Sequence, residues 1–554
     1  MNKLSRLLAL LPLVLPFVGM AQDGLQQELL LTKPYQPSVN EAVKLDQLPG
    51  MIDTATIRPS FNYSITSQRL DSPLSQSTAR AAGLQPVQTP ELNIGYLRLG
   101  LGTYRTPMGE LALNTRRSEK FSGGLNLSHL SSDGKVELDN GHKVFSGFSD
   151  NRFSAYGKTF FRAFSLSADV GYRRLVSHAY GYDPHGFPAH LHLARKDIRN
   201  IYQMGDLNVA VRSLNRSKVS YSGTLSLRNT TDDFDARERQ LMLAGELQKG
   251  SMGLRYMADM LDRSDVMLQN GRAVTTAGNP YYLITTDKMR LELGAKAQLF
   301  KEEGDHMHYR LYPVAEIQYE LIHDALIPFA GVNGGVRTRS YRSMIEENPH
   351  LMSGYNVPTF TDTRFQIYAG FKGSLGSLAQ YYLRSSYSSV KGDRVFLNAD
   401  TPASQNYFFA LPVSYKQFTM GVDLYVQPSD NFDLTFKGTY YHYEVEPWNH
   451  MLDRPDFEAS LVARYVYESR WSLQFDVTAT GNRYYLDLIP DVPDFQSEVR
   501  IDGVLNFGLK AEYFLTNRLS VFTKLSNFTT SKYYRWMNYP IQRFQVMGGV
   551  TFAF

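Results

Sequence analysis

The chain has no cysteine. No disulfide framework staples it, and no thiolate holds a metal or acts as a nucleophile. A lipid-anchoring cysteine is excluded as well. Long apolar runs are also missing. Beyond the first 21 residues none reaches the ~18 residues that a spanning helix needs, so a helical membrane protein is excluded. Charge of one sign is scarce. A net charge of +4 over 554 residues gives no concentrated basic face, so nucleic acid is not an expected partner. The glycines show no G-x-x-x-x-G-K-[ST] phosphate cradle. Ser and Asp are plentiful, but no local motif singles out a nucleophile or an acid pair. Neither catalysis nor a cofactor is expected. Tryptophan is limited to 3, against 36 Tyr and 32 Phe. That aromatic excess fits strand propensity and the interfacial girdles of membrane barrels, although secreted β-sandwiches share it.

What is present begins with a leader. Lys3 and Arg6 precede an apolar run from Leu7 to Met20 that two prolines interrupt, and Gly19, Met20 and Ala21 supply small residues for cleavage. Residues 1–21 therefore read as a secretory signal peptide, leaving Gln22 at the mature N-terminus. Residues 22–93 hold seven prolines: Pro34, Pro37, Pro49, Pro59, Pro73, Pro86 and Pro90. They are expected to form a short, irregular, extended periplasmic or lumenal segment.

From Ile94 to Phe554 the sequence reads as one amphipathic strand after another. Phe164, Leu166, Ala168, Val170 and Tyr172 alternate with Ser165, Ser167, Asp169 and Gly171. Met289, Leu291, Leu293, Ala295, Ala297 and Leu299 alternate with Arg290, Glu292, Lys296 and Gln298. Leu473, Phe475, Val477 and Ala479 alternate with Gln474, Asp476 and Thr478, and Leu505, Phe507 and Leu509 with Asn506 and Lys510. Charges recur on one face and avoid the other. A soluble sandwich turns the apolar face inward, and a membrane barrel turns it out to lipid. Several runs reach ten or more residues, the length of a tilted membrane strand; sandwich strands usually run ~5–6.

Connections alternate in length. Short turns follow Phe161, Lys249, Gln427, Ser469 and Leu515; long ones cover Ser177 to Lys196, Ser264 to Tyr282, Lys391 to Leu411 and Thr529 to Ile541. Tight periplasmic turns and long extracellular loops are the pattern of outer-membrane barrels. A count along the chain gives about 21 strands, with the parity broken between Phe300 and Phe360. Because a closed barrel of this class needs an even number, 20 to 22 are expected. The reading is thus all-β, a large transmembrane antiparallel β-barrel.

The last thirteen residues place Phe544, Val546, Gly548, Val550, Phe552 and Phe554 on one strand face. An amphipathic edge strand of a soluble protein would look similar. The ending resembles the closing strand of bacterial outer-membrane barrels, whose terminal Phe signals insertion by the barrel-assembly machinery. That resemblance gives Phe552 and Phe554 this role. Upstream, Arg518 to Asn527 is followed by Lys532, Tyr533, Tyr534, Tyr539 and Pro540, then by Gly548 to Phe554. These segments resemble the end of TonB-dependent receptors, with Asn527, Tyr533, Tyr534, Tyr539 and Pro540 as the matching positions. Tyr312 to Tyr319 and Asn348 to Leu351 resemble members from Bacteroidota. The likeness covers about Ile94 to Phe554. The family carries an N-terminal plug of well over a hundred residues. Here residues 22–93 show no plug pattern, and Glu28 to Thr32 is a weak match to a TonB box. A reduced or missing plug is therefore expected.

His185, His190 and His192, with His178 nearby, have spacing that suits Zn or Cu; a solvated loop is the stronger expectation, and no metal is assigned. Arg290, Glu292, Lys296, Asp476, Lys510 and Glu512 fall on the polar face. They line a substrate path or, more often, form ion-pair networks that hold strands in register. Two functions fit: uptake across the outer membrane, with a TonB-type energising complex or a surface lipoprotein as partner; or a structural role in an outer-membrane assembly or export complex, docking other envelope proteins. Outer-membrane lipids are the expected surroundings in both.

Overall fold

The computed structural model describes residues 93–554, apart from 117, 140, 183–193, 215–218, 265–270, 354–358, 399–405, 489–495 and 529–531. The expected signal peptide and nearly all of the Pro-rich segment lie outside the described residues.

Alternation builds the fold. In Met289–Glu302, Leu293 and Leu299 stand 47% and 45% exposed, whereas Gln298 on the opposite face is 1% exposed. The apolar face is the outer one, an inversion of the soluble arrangement. Contiguous apolar surface on this scale needs lipid to cover it. Strand edges carry unpaired backbone groups, so strands add antiparallel neighbours until the sheet closes. Twenty-two strands do so, at the top of the expected range. The first, Gly95–Gly102, pairs with Thr106–Asn114 on one side and with the last, Gln545–Ala553, on the other. Gly95 and Phe554 exchange two backbone hydrogen bonds of 3.0 Å at the seam. Barrel strands run from 8 residues, as in Gly95–Gly102, to 22 in Phe408–Ser429.

The two ends differ. At the end carrying Phe554 the turns are tight. Gly250 and Ser251 join Arg237–Lys249 to Met252–Ser264, with Gly250 at φ +58°, as a two-residue hairpin requires. Tyr282, Tyr319, Trp471 and Tyr513 stand outward near this end; the last two rings lie 4.7 Å apart. At the opposite end the connections carry three two-stranded hairpins and, among the described residues, a single helix, Tyr341–Glu347. By the expected pattern of loop lengths, this is the extracellular end.

Two of the expected long loops are largely strand. Gly271–Thr285 occupies most of Ser264 to Tyr282. Pro280 lies within this strand; it cannot donate to a ladder, and pairing with Met289–Glu302 skips from Gly278 to Tyr281. Lys391 to Leu411 is mostly the outer continuation of Ala379–Asn398 and Phe408–Ser429, after a register shift between Val390 and Asp393 where Gly392 takes φ +69°. Between Phe300 and Phe360 lie the strands His308–Tyr319 and Ile327–Thr338 and then the helix, which restores the even count.

Candidate functional site

The inner wall is polar and tied together. Arg255 bonds Glu292 at 2.9 Å and Glu246 at 3.0 Å, and the Tyr281 hydroxyl donates to Glu246 at 2.8 Å. Near the seam, Arg98 reaches Glu512 at 3.3 Å; Lys510 lies 3.4 Å from Glu512, which also accepts from Ser520 at 2.6 Å. The Lys296 ammonium donates to the Gly334 carbonyl at 2.7 Å, and Asp476 accepts from Gln474 at 2.9 Å. Arg290 sits on the same face, opposite Gln318. The charges expected on the polar face thus include cross-strand ties. Arg98, Glu246 and Arg255 belong to the same networks and carry no motif that would have marked them.

At the extracellular end the chain's own loops pack against one another and against the wall. Met344 and Ile345 of the short helix and Leu351 beyond it pack with Tyr202 and Met204 of the wall strand Arg199–Ser213. Phe396 and Phe408, from the outer ends of their strands, join the same core with Tyr485, Trp536 and Tyr539 from two further loops. Polar contacts fix the crossing. The Pro349 carbonyl accepts from Ser177 at 2.9 Å, Tyr202 at 3.1 Å and Asn200 at 3.4 Å. The helix starts on Ser340, whose hydroxyl accepts from the Ser343 N–H at 3.1 Å. The Tyr341 hydroxyl donates to Asp232 at 2.7 Å, and Arg342 pairs with Asp206 at 2.5 Å. A loop between two neighbouring strands is therefore anchored on wall strands elsewhere around the barrel.

A second core joins Val395, Leu397, Val413 and Tyr415 to Met451, Leu452 and Leu486. Beside it lies a buried ionic cluster. Asp393 accepts from Arg454 at 2.8 Å, from the Tyr415 hydroxyl at 2.7 Å and from Arg339; Arg394 pairs with Glu347, and Asp453 lies 3.7 Å from Arg454. Asp453 also accepts from the Phe396 N–H at 2.6 Å. Burial raises its carboxyl above the usual range. Burial, aided by the Arg535 and His178 charges, pushes His350 down to about 3, so its ring is neutral where it stacks on Tyr539 at 3.9 Å.

The C-terminal residues singled out in the sequence lie in and beside this loop packing. Asn527 ends the strand Leu519–Ser526 at φ +51°, a left-handed conformation that Asn tolerates. Tyr533 accepts from the Ile541 N–H at 3.0 Å through its carbonyl. The Tyr534 hydroxyl donates to Asp139, which Lys532 meets at 2.6 Å. The Tyr539 hydroxyl donates to the Asn406 carbonyl, and the Pro540 carbonyl accepts from Tyr180 at 3.0 Å. Phe552 and Phe554 stand outward at the opposite end of the barrel, stacked 5.9 Å apart. His185, His190 and His192 lie outside the described residues. His178 packs edge-on to Phe145 at 4.7 Å, with a ring nitrogen 2.6 Å from the Gly147 carbonyl. Two exposed turns bring His and carboxylates together: Asp305, His306 and His308; and Glu320, His323 and Asp324. Their ring nitrogens are engaged by those carboxylates at 2.6–2.8 Å.

Fold and site together define a closed, lipid-facing barrel with a polar inner wall and loops packed over one end. No protein-family model and no curated protein matches the chain. Solved structures do. The FrpB iron transporter from Neisseria meningitidis (F3-3 variant) is 11% identical, with a TM-score of 0.64 over 83% of this chain and 81% of that one. P. aeruginosa FpvA bound to heterologous pyoverdines gives 10% identity and 0.63, over 83% and 71%. The ferric-catecholate import receptor Fiu from K12 E. coli gives 10% and 0.59, over 84% and 82%. These neighbours are TonB-dependent receptors, and at such identity the likeness shows the barrel fold alone.

Proposed function

We propose that the chain is an outer-membrane barrel of receptor type that takes a solute across that membrane. One observation carries the reading: a 22-strand barrel whose own loops pack together over its mouth. A barrel of this width would otherwise leak, and a seal made of loops is one that a ligand or partner can displace. The neighbours named as an iron transporter and a ferric-catecholate import receptor suggest ferric chelates as the first solutes to try. Cleavage of residues 1–21, insertion through Phe552 and Phe554, reduced plugging by residues 22–93, and energising through a TonB-type complex or a surface lipoprotein belong to the same proposal.

A second reading has its own support. The cap is packed like a protein interior, with Tyr202, Met344, Ile345, Leu351 and Leu452 at 0–1% exposure. That is the packing of a permanent seal, which suits a structural subunit of an assembly or export complex. Gentle extraction from the native outer membrane, with identification of what co-purifies, separates the two. TonB-type or uptake lipoproteins support transport. Barrel-assembly or secretion components overturn it.

A further inference from the structure

One joint of the wall is made over only part of its length. His308–Tyr319 pairs with Met289–Glu302 all the way from His308 to Tyr319. On its other side it pairs with Ile327–Thr338 from Ala315 to Gln318 alone. Among the described residues, His308 to Val314 therefore have no ladder on that side. The outer half of Ile327–Thr338 has left the wall. Beyond the irregularity between Asn333 and Gly335 it lies over the inner face of Met289–Glu302. There the Gln298 amide accepts from the Val336 N–H at 2.9 Å and donates to the Val336 carbonyl at 2.6 Å, and Lys296 donates to the Gly334 carbonyl. Tyr312 points inward and donates to Asp362 at 2.6 Å, and a Cβ on Gly334 would stand 2.5 Å from its ring. Side chains thus satisfy one edge of the split, and the other stays open.

That open edge faces lipid. Tyr309 and Leu311 stand outward at 78% and 72% exposure, the most exposed large apolar side chains among the described residues. The missing neighbour strand accounts for this. Leu311 lies about 20 Å from the level of Tyr319, inside the ~25 Å apolar band of a tilted barrel wall. In hydrocarbon an unpaired N–H or C=O finds no water, so open sheet edges do not persist there. The edge calls for an added strand.

We propose that residues 57–65 of the same chain supply it. Ile57, Pro59, Phe61, Tyr63 and Ile65 alternate with Arg58, Ser60, Asn62 and Ser64, as apolar and polar residues do in the wall strands. The apolar face extends the outward row of Tyr309, Leu311 and Pro313, and the polar face looks into the lumen. Pro59 lacks an N–H, which a strand bonded on one side only tolerates. The segment can reach. Gly95–Gly102 and His308–Tyr319 lie halfway round the barrel from each other, about 45 Å apart for 22 strands at ~4.8 Å spacing and ~40° tilt. With the climb the path is roughly 50 Å, and the ~28 residues from Thr66 to Asn93 extend to about 90 Å. The tether holds this strand at an effective concentration of about millimolar, an advantage that a separate partner or a second copy lacks. This rests on residues 22–93 entering the lumen, as proposed above, and makes part of them a piece of the wall.

The chain has no cysteine, so introduced pairs report contact without background. Leu311→Cys is combined in turn with Pro59→Cys, Phe61→Cys and Tyr63→Cys, and separately with Ser60→Cys and Asn62→Cys, in the full-length protein in its native outer membrane. Cross-strand neighbours on one face can close a disulfide, whereas side chains on opposite faces point apart. Under mild oxidation at least one of the first three pairs should link within a single chain, at least tenfold faster than either of the last two. Heat-modifiable gel mobility shows that each variant is folded. Hydrogen exchange gives a second measurement. The amides of Tyr309 to Tyr312 should be protected in wild type and exchange at least tenfold faster in the double variant Ser60→Pro, Asn62→Pro, while Ala297 and Leu299 stay unchanged. No link in any pair, equal linking from both faces, links between two chains, or free exchange of the edge amides in wild type would each overturn the proposal. Protection that survives the proline variant would do so as well, and would give the edge to another protein. Failure in a barrel folded in the outer membrane would remove the added strand alone; absence of the chain from that membrane would overturn the localisation too.

Discussion

Asp393→Ala removes the carboxylate that two buried guanidiniums share. The Asp393 side chain is 1% exposed, and those of Arg339 and Arg454 are 20% and 10% exposed. Breaking one partner of a buried ion pair costs about 3–5 kcal/mol; here Arg339 loses its carboxylate partner, while Arg454 keeps Asp453 at 3.7 Å. That cost falls on the cap rather than on the wall. Asp393 lies beyond the register shift at Val390, and the groups it holds come from Arg339 and Arg454 in two other connections. At about 1.4 kcal/mol per tenfold, the cap's opening equilibrium should rise by roughly two to three orders of magnitude. Hydrogen exchange on the folded protein reads this directly. The Phe396 amide, which bonds Asp453, and the Tyr341 amide, which bonds Glu238, should exchange faster, while wall amides such as Leu241 stay protected. Single-channel conductance should rise in parallel. Lys416→Gln is the control, since the exposed pair with Glu444 is worth less than ~1 kcal/mol. Unchanged cap exchange in Asp393→Ala, or loosening of wall and cap together, would refute the reasoning.

Further perturbations probe other contacts. A Cβ at Gly181 would stand 2.1 Å from the Tyr539 ring, which His350 and Phe408 box in, so Gly181→Ala should destabilise the cap by about 1–3 kcal/mol; undiminished resistance of the loops to protease would count against that packing. His350 has a folded-state pKa of about 3, below its unfolded value of ~6.5, so its neutral ring contributes fully above pH ~6.5 and that contribution is lost as pH falls toward 3. The cap's opening equilibrium, read from exchange rates divided by the intrinsic amide rate at each pH, should therefore rise between pH 6.5 and 4, with Asp453, whose carboxyl is raised, acting in the opposite sense; His350→Phe should flatten this limb, and an identical acid profile in that variant would exclude His350 as its source. Removing Phe554 should lower the amount of folded barrel in the outer membrane, measured by heat-modifiable mobility, and normal levels would remove the C-terminal signal from the account.

The wall was legible because its rules are local. Period-two alternation in Met289–Glu302 placed Leu293 outside and Gln298 inside, and each strand pairs with its neighbours in sequence. Even the inner charges were visible as a face, Glu292 and Glu512 among them, although their partners Arg255 and Arg98 were not. Legibility stopped where a strand leaves the regular ladder. Pro280 and Gly392 read as loop residues and lie within strands, because a proline can face an unpaired stretch of ladder and a glycine can carry a bulge. The cap could not be read at all. Its contacts join Pro349 to Tyr202, Tyr539 to Asn406 and Arg394 to Glu347, and no periodicity links residues so far apart in the chain. In sequence Tyr539 and Pro540 stand out by their resemblance to a receptor ending, and nothing local marks the core beside which they lie.

That division bears on function. The wall's stability comes from a closed ladder that any barrel of this width shares, so it cannot distinguish an importer from a scaffold. The cap differs, because its free energy of opening decides whether the lumen is a path. If that free energy is small enough for a ligand's binding energy to offset, the barrel is a gate, since a ligand shifts an equilibrium only by its differential affinity for the two states. If it approaches the global stability of the wall, the lumen stays shut and the barrel is a platform. The buried charges of Asp393, Arg339 and Arg454 are where the two cases part. An apolar core of the same volume would often seal as well or better. A seal that includes ion pairs can instead be opened by supplying those charges with other partners, which a charged ligand or a docking protein does. The opening free energy of the cap, set against that of the wall in the same exchange experiment, therefore decides between the two readings even before a solute has been identified.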